Sequence, residues 1–261
     1  MLDQRLIDSY LAMHPYPLLF VTISGAHLYG FESPDSDYDL RGAHVTPASL
    51  MMGFSAPPET YEQMDKTSPI EMDLVTHDVR KFLLLLLKNN GYVLEQVLSP
   101  ICVYSTPEYE ELKALAPRTI TKHHHHHFRN FGTNQWESVV KNGKPTVKGM
   151  LYTYRVLLVG IHLMRTHSVE SNLRKLNEIF KLSYIDDLIA RKVAGREKAE
   201  LADQLSTHEK EFNRLLGWLE HEKQRTTLPD GPSCRAELED LLIRLRLKQS
   251  PFDRSSLHSF R

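Results

Sequence analysis

The chain has 261 residues, enough for one large domain or two modest ones with a real core. Its hydrophobic share is 41% and its charged share 25%, the ordinary values of a soluble globular protein. The formal net charge of −1 excludes a molecule that grips nucleic acid by its overall charge, while leaving room for a local basic face.

Near the start, Ile7, Tyr10 and Leu11 recur at helical spacing, so a short helix opens the chain. PLLFVTIS (17–24) is dense, apolar and β-branched, and predicts a buried strand. It runs into SGAHLYG (24–30), a glycine-bounded turn opening a short helix. In SPDSDYDLRGAHV (33–45), Tyr38, Leu40 and Val45 suggest a second strand with Asp37 and Asp39 on its other face. Residues 53–68 are rich in Pro, Ser and charge and predict a loop or flap. IEMDLVT (70–76) alternates as a third strand. THDV (76–79) offers helix-capping chemistry for VRKFLLLLLKNN (79–90). GYVLEQVL (91–98) is a short helical piece and PICVY (100–104) a last strand, which makes Cys102 a core residue.

Beyond about residue 107 the strand signals stop. Helical patterns cover 107–115, 128–142 and 147–167, then 171–182, 184–196, 198–223 and 234–248, with a Pro-Gly-Asp cluster at 229–232. The chain therefore reads as α+β, with a mixed-sheet domain over 1–106 and an all-helical domain over 107–261. Two distant cysteines, Cys102 and Cys234, argue against a disulfide framework and suit a reducing cytoplasm. The first residues carry acidic groups in an amphipathic pattern, unlike a secretory signal. The longest apolar run, Phe82 to Leu87, is too short to cross a bilayer. A cytoplasmic protein without a membrane partner is expected.

Asp37-Tyr38-Asp39 is the most informative triplet. Two carboxylates on one strand face repel unless a cation sits between them. Hard oxygen ligands suit Mg²⁺ or Mn²⁺, and a third carboxylate from a neighbouring strand completes a two-metal site for attack at phosphorus. Asp73 is placed for that role, and Glu71, two residues earlier on the same face, is the alternative. The Gly turn points backbone N–H groups toward an anion, with Gly25 allowing close approach and Ser24 adding a hydroxyl. Arg41 can pair with a carboxylate or with a phosphate. Lys148, Tyr152 and Arg155 stand at i, i+4 and i+7 and share a helix face that suits a nucleotide, with Lys144 and Arg129 as weaker versions of the idea. His123 to His127 point all round a helix axis. They are expected to be an exposed stretch that binds metal incidentally, the alternative being a place beside nucleic-acid phosphates. Trp136 and Trp218 are expected to anchor helix packing.

Taken together, SGAHLYG, SPDSDYDLRG and EMD resemble the DNA polymerase β nucleotidyltransferase superfamily, and more narrowly the nucleotidyltransferases associated with RNA repair. Those carry G-S-H-x-Y-G, S-D-x-D-L-R-G and a later Asp before a long helix. The resemblance covers residues 18–100 and extends to KGMLYTYRVLLVGIHL (148–163). It implies a polymerase-β-like mixed sheet with flanking helices followed by a helical bundle. It implies Asp37, Asp39 and Asp73 as catalytic metal-binding carboxylates. Gly25, with Ser24, Ala26, His27 and Tyr29, would hold the triphosphate of an NTP substrate. The implied reaction moves a nucleoside monophosphate to a hydroxyl, with an RNA end or tRNA the favoured acceptor, and releases pyrophosphate. One position departs: Ala26 stands where the family has Ser, removing one hydroxyl contact. Two other readings follow from the residues: a catalytically weak nucleotide or nucleic-acid sensor, and a toxin–antitoxin-like interaction protein built on the helical half.

Overall fold

The computed structural model describes residues 4–34, 36–65, 71–141, 145–195, 201 and 205–248. Helix α1 (Gln4–Leu11) buries Ile7, Tyr10 and Leu11, the triplet read from its spacing. Strand β1 (Leu18–Ile23) is buried along its whole length. Helix α2 (Gly25–Tyr29) follows at once and ends on Gly30 in the left-handed conformation. Then come β2 (Tyr38–His44), α3 (Ala48–Met51), β3 (Thr60–Asp65) and β4 (Met72–Asp78). Asp78 caps α4 (Val79–Leu87) by accepting a bond from the Arg80 N–H at 2.9 Å. Asn90 caps α5 (Gly91–Val97) in the same way, and β5 (Cys102–Ser105) ends the sheet.

The strands make one mixed five-stranded sheet in the order β3-β4-β2-β1-β5. β2 and β4 are parallel, and the other neighbours are antiparallel. Residues 60–65, expected as loop or flap, are a strand. Among the described residues β3 is an edge strand that pairs with β4 alone, from Thr60↔His77 to Asp65↔Met72. An edge strand needs a backbone partner rather than an apolar run, so its polar sequence hides it. Cys102 is a second correction. β5 is the opposite edge, and the thiol is exposed rather than in the core.

The helical half comprises α6 (Pro107–Leu115), a 3₁₀ turn (Ala116–Thr119), α7 (His124–Val140), α8 (Val147–Thr166), α9 (Leu173–Phe180), α10 (Ser183–Val193), α11 (Leu205–Arg225) and α12 (Arg235–Lys248). The expected helix over 198–223 is described from Leu205; part of that span and Lys144 lie outside the described residues. α8 is buried nearly all round and forms the axis of this half.

One sheet face packs Val21, Ile23, Leu40, Met72 and Leu74 against α1. The other face continues without a break into the helical half, through Phe20, Phe82, Tyr109, Phe128 and Leu157. Phe20 stacks on Tyr109 at 4.5 Å and meets Phe82 edge-on at 5.3 Å. α12 is tied back to the sheet by Arg246, which donates to the Thr46 carbonyl and to Asp78 Oδ1 at 2.5 Å.

The histidine run is a third correction. His124 and His125 are buried at the start of α7, and only His126 is fully exposed. The run packs α7 onto its neighbours because its inward positions face the core, as any helix of this length must arrange. Trp136 stacks on Phe212 at 4.7 Å, and Trp218 meets Phe180 edge-on at 5.2 Å, both as packing anchors.

Candidate active site

The parallel pairing of β2 and β4 sets Asp39 directly opposite Asp73. Side chains opposite in register lie within about 5 Å of one another, so the two carboxylates crowd. Arg41, two residues along the same face, resolves the crowding. Its Nη2 donates to Asp39 Oδ1 at 2.6 Å and to Asp73 Oδ2 at 2.8 Å. Nη1 donates to the carbonyls of Leu40 and Asp73, and Nε donates to Tyr92 Oη at 3.0 Å. A guanidinium has five N–H groups, and these bonds use them all. Burial works against its charge, but Tyr92, Asp39 and Asp73 outweigh that and hold Arg41 above its ordinary range. Of the two roles open to Arg41 in the sequence, the structure shows the carboxylate pair.

Asp37 stands exposed one residue before β2, outside the ladder, so strand alternation does not place its side chain. Its charge still reaches Asp39. Burial first, then Asp37 and Asp73 against the opposing pull of Arg41, leave the Asp39 carboxyl above the usual range. Glu71 lies exposed just before β4, where its carbonyl accepts from the Tyr38 N–H.

The Gly turn lies against this pair. Gly25 has φ +61°, and a Cβ built there would fall 1.8 Å from Asp39 Oδ2. Only glycine lets the start of α2 come so near a carboxylate. The Ser24 N–H donates to the Asp39 carbonyl at 2.7 Å, and Ser24 Oγ lies 3.3 Å from Tyr29 Oη. Ala26 and Tyr29 are buried, while the His27 ring stacks on Tyr38 at 4.0 Å. At the far end of α2, the Asn172 amide fills the space where a Gly30 side chain would be, and Arg174 Nε donates to the Gly30 carbonyl at 2.5 Å. The helical half thereby braces the turn.

The α8 candidates divide. Lys148 is near enough to Asp39 to favour its ionised form. Tyr152 meets Tyr29 and Phe31 edge-on at 5.7 and 5.4 Å, and burial, then Tyr29 and Asp39, push its hydroxyl pKa up. Both line a groove of about 500 Å³ between α7 and α8, with Gln135, Ser138 and Thr146. Arg155 points inward. It is 1% exposed, donates to Glu95 Oε2 at 2.5 Å, and lies 3.6 Å over the Tyr29 ring. Ser171 Oγ donates to the same Glu95 oxygen at 2.9 Å. Tyr92 and Glu95 were missed in the sequence. A lone Glu within the apolar VLEQVL was the available signal, because a buried carboxylate demands a partner.

Among the described residues, no three carboxylate, imidazole or thiol groups are grouped to hold an ion. The donor chemistry nevertheless fits a divalent cation. Asp39 and Asp73 face each other in register, and the charge of Asp37 reaches Asp39. A set of hard carboxylate oxygens is what Mg²⁺ or Mn²⁺ takes. No helix among the described residues is long and apolar enough to cross a membrane.

Comparison with known proteins places the chain in a family. The family model of RlaP, the RNA repair pathway DNA polymerase beta family, matches residues 4–244. The uncharacterized protein MJ0002 of Methanocaldococcus jannaschii is 31% identical over 154 residues, 59% of this chain and 63% of that protein. The chain thus spans less than two thirds of that relative's length. A nucleotidyltransferase-like protein from Exiguobacterium sibiricum 255-15 shares 14% identity at a TM-score of 0.34, over 98% of this chain and 83% of that one. With the family model matching nearly the whole chain, and the carboxylates, Gly turn and mixed sheet in one place, the chain belongs to the RNA repair pathway DNA polymerase beta family.

Proposed function

We propose that the protein transfers a nucleoside monophosphate from an NTP to a hydroxyl acceptor, an RNA end or tRNA, with release of pyrophosphate. The observation that carries this reading is Asp39 facing Asp73 in register, with Gly25 packed on Asp39. Asp37, Asp39 and Asp73 would hold Mg²⁺ or Mn²⁺. Such a cation supplies a lowered pKa for the attacking hydroxyl and charge neutralisation at the phosphates.

The chain's own residues do the rest by positioning. The start of α2, with the Ser24 hydroxyl beside it, would receive the triphosphate. Lys148 adds a cation near the carboxylates, and Tyr152 offers a ring in the adjoining groove for the base. Arg155 acts behind them by fixing Tyr29 against Glu95.

The test uses labelled NTPs with Mg²⁺ or Mn²⁺ and RNA, tRNA or protein acceptors. Wild type is expected to label an acceptor, and Asp37→Ala with Asp39→Ala is expected to abolish labelling. Transfer by the double variant equal to wild type sinks the reading.

A second reading has its own support. Arg41 Nη2 bridges the two carboxylates, and Ala26 lacks a hydroxyl for phosphate. Those features suit a protein that binds nucleotide as a sensor. Tight NTP binding by calorimetry with no labelled acceptor would favour it.

A further inference from the structure

A second groove of about 500 Å³ opens where the end of α4 meets the start of α7. Lys88 and Asn89 stand on one wall, and His123, His126, Asn130 and Asn134 on the other. Among the described residues, no carboxylate lines it. Asp230, 3.8 Å from His123, is itself held by Lys122 at 2.5 Å. Phe131 contributes a half-buried ring, and His127 Nε2 is buried with no hydrogen-bond partner among the described residues.

The groove is linked to the carboxylate site through Asn90 and Tyr92. Asn90, also in its lining, caps α5 by accepting from the Tyr92 N–H at 2.9 Å, and Tyr92 Oη accepts from Arg41. Along α7 the residues at 123, 127, 130, 134 and 138 recur at helical spacing and share a face. That face joins this groove to the one holding Lys148 and Tyr152, which begins at Gln135 and Ser138. From His123 to Ser138 the stripe runs about 22 Å at the helical rise.

We propose that this stripe holds the single-stranded end of a polynucleotide acceptor and leads it to Asp39 and Asp73. The inference rests on the nucleotidyl-transfer reading for its direction. The chemistry selects the ligand. Asn amides pair with base edges, imidazole and Phe131 rings offer faces for stacking, and Lys88 meets phosphate. A duplex hides the base faces and edges that these groups read. Carboxylates would repel the backbone, and the lining has none.

Fluorescence anisotropy of labelled RNA and DNA strands of about ten nucleotides, at low salt, tests this directly. Asn130 and Asn134 are exposed, so Asn130→Asp with Asn134→Asp keeps the fold while placing two negative charges in the groove. Binding is expected to weaken by at least about tenfold. Lys88→Glu, on the opposite wall, is expected to repeat the effect. Ser206→Asp with Thr207→Asp, the same charge on exposed positions of α11, is expected to leave binding unchanged. Equal binding of RNA and DNA identifies phosphate and base stacking as the contacts, and tighter RNA binding adds the 2′-hydroxyl.

Asp39→Asn is expected to bind the strand yet transfer nothing. No strand binding by wild type, groove variants that bind as tightly as wild type, or a duplex preferred to the single strand overturns the proposal. If wild type binds through the groove but transfers no nucleotide, the transfer reading fails and the groove stands. If it transfers nucleotide while the groove variants bind and transfer like wild type, the groove fails alone.

Discussion

Gly25 and Asp39 touch so closely that a side chain at residue 25 would overlap Asp39 Oδ2, its Cβ falling 1.8 Å away. The backbone there is also left-handed, at φ +61°. Gly25→Ala therefore both strains the turn and displaces a carboxylate. It is expected to abolish nucleotide transfer and to lower stability by about 1–3 kcal/mol in denaturant unfolding. Transfer at the wild-type rate by this variant would show that the contact has no bearing on the site.

Arg41 is the counter-ion that makes the Asp39–Asp73 pair tolerable. Arg41→Met leaves two facing carboxylates uncompensated in a half-buried setting, a loss of about 2–4 kcal/mol. A divalent cation is expected to restore part of it, so Mn²⁺ should raise the Tm of Arg41→Met more than that of wild type. Thermal unfolding with and without the ion reads this out. A larger Mn²⁺ shift in wild type would sink the counter-ion account.

Arg155 distinguishes support from contact. Its guanidinium is buried with Glu95 and Tyr29, whose hydroxyl is pushed up to about 12, chiefly by burial. Arg155→Lys keeps the charge but loses the planar stack on Tyr29. The Tm is expected to fall while KM for the NTP changes little in the folded fraction. A large rise in KM at unchanged Tm would instead place Arg155 on the nucleotide.

Acid weakens the fold through buried imidazoles. Burial first, then His14, hold His44 down to about 3 from 6.5. The neutral ring is favoured in the fold. The stabilisation is complete above the unfolded value of 6.5 and is lost as pH falls from there toward 3. His44→Gln, which keeps a polar group near Thr76 Oγ1, is expected to flatten the decline of Tm between pH 6.5 and 5. An unaltered slope would remove His44 from this account.

Much of the site was legible in the chain itself. Alternation placed Asp39 and Asp73 on strands, the Gly-bounded run marked the α2 turn, and Asp78 announced the α4 cap, because each rests on residues a few positions apart. The edge strand β3, the exposure of Cys102 and the burial of His124 and His125 were not legible. Each depends on which surface a distant segment covers.

Sequence alone determined which residue types are available: three carboxylates, a glycine able to approach them, and one arginine on the same strand face. Tertiary structure decided how they are spent. The parallel register of β2 with β4 faces Asp39 to Asp73 and sends Arg41 between them. Docking of α8 turns Arg155 inward onto Glu95 while Lys148 and Tyr152 stay at a groove. Periodicity is a property of neighbouring residues, but register and docking are set by contacts between segments far apart in the chain, where no local pattern reaches.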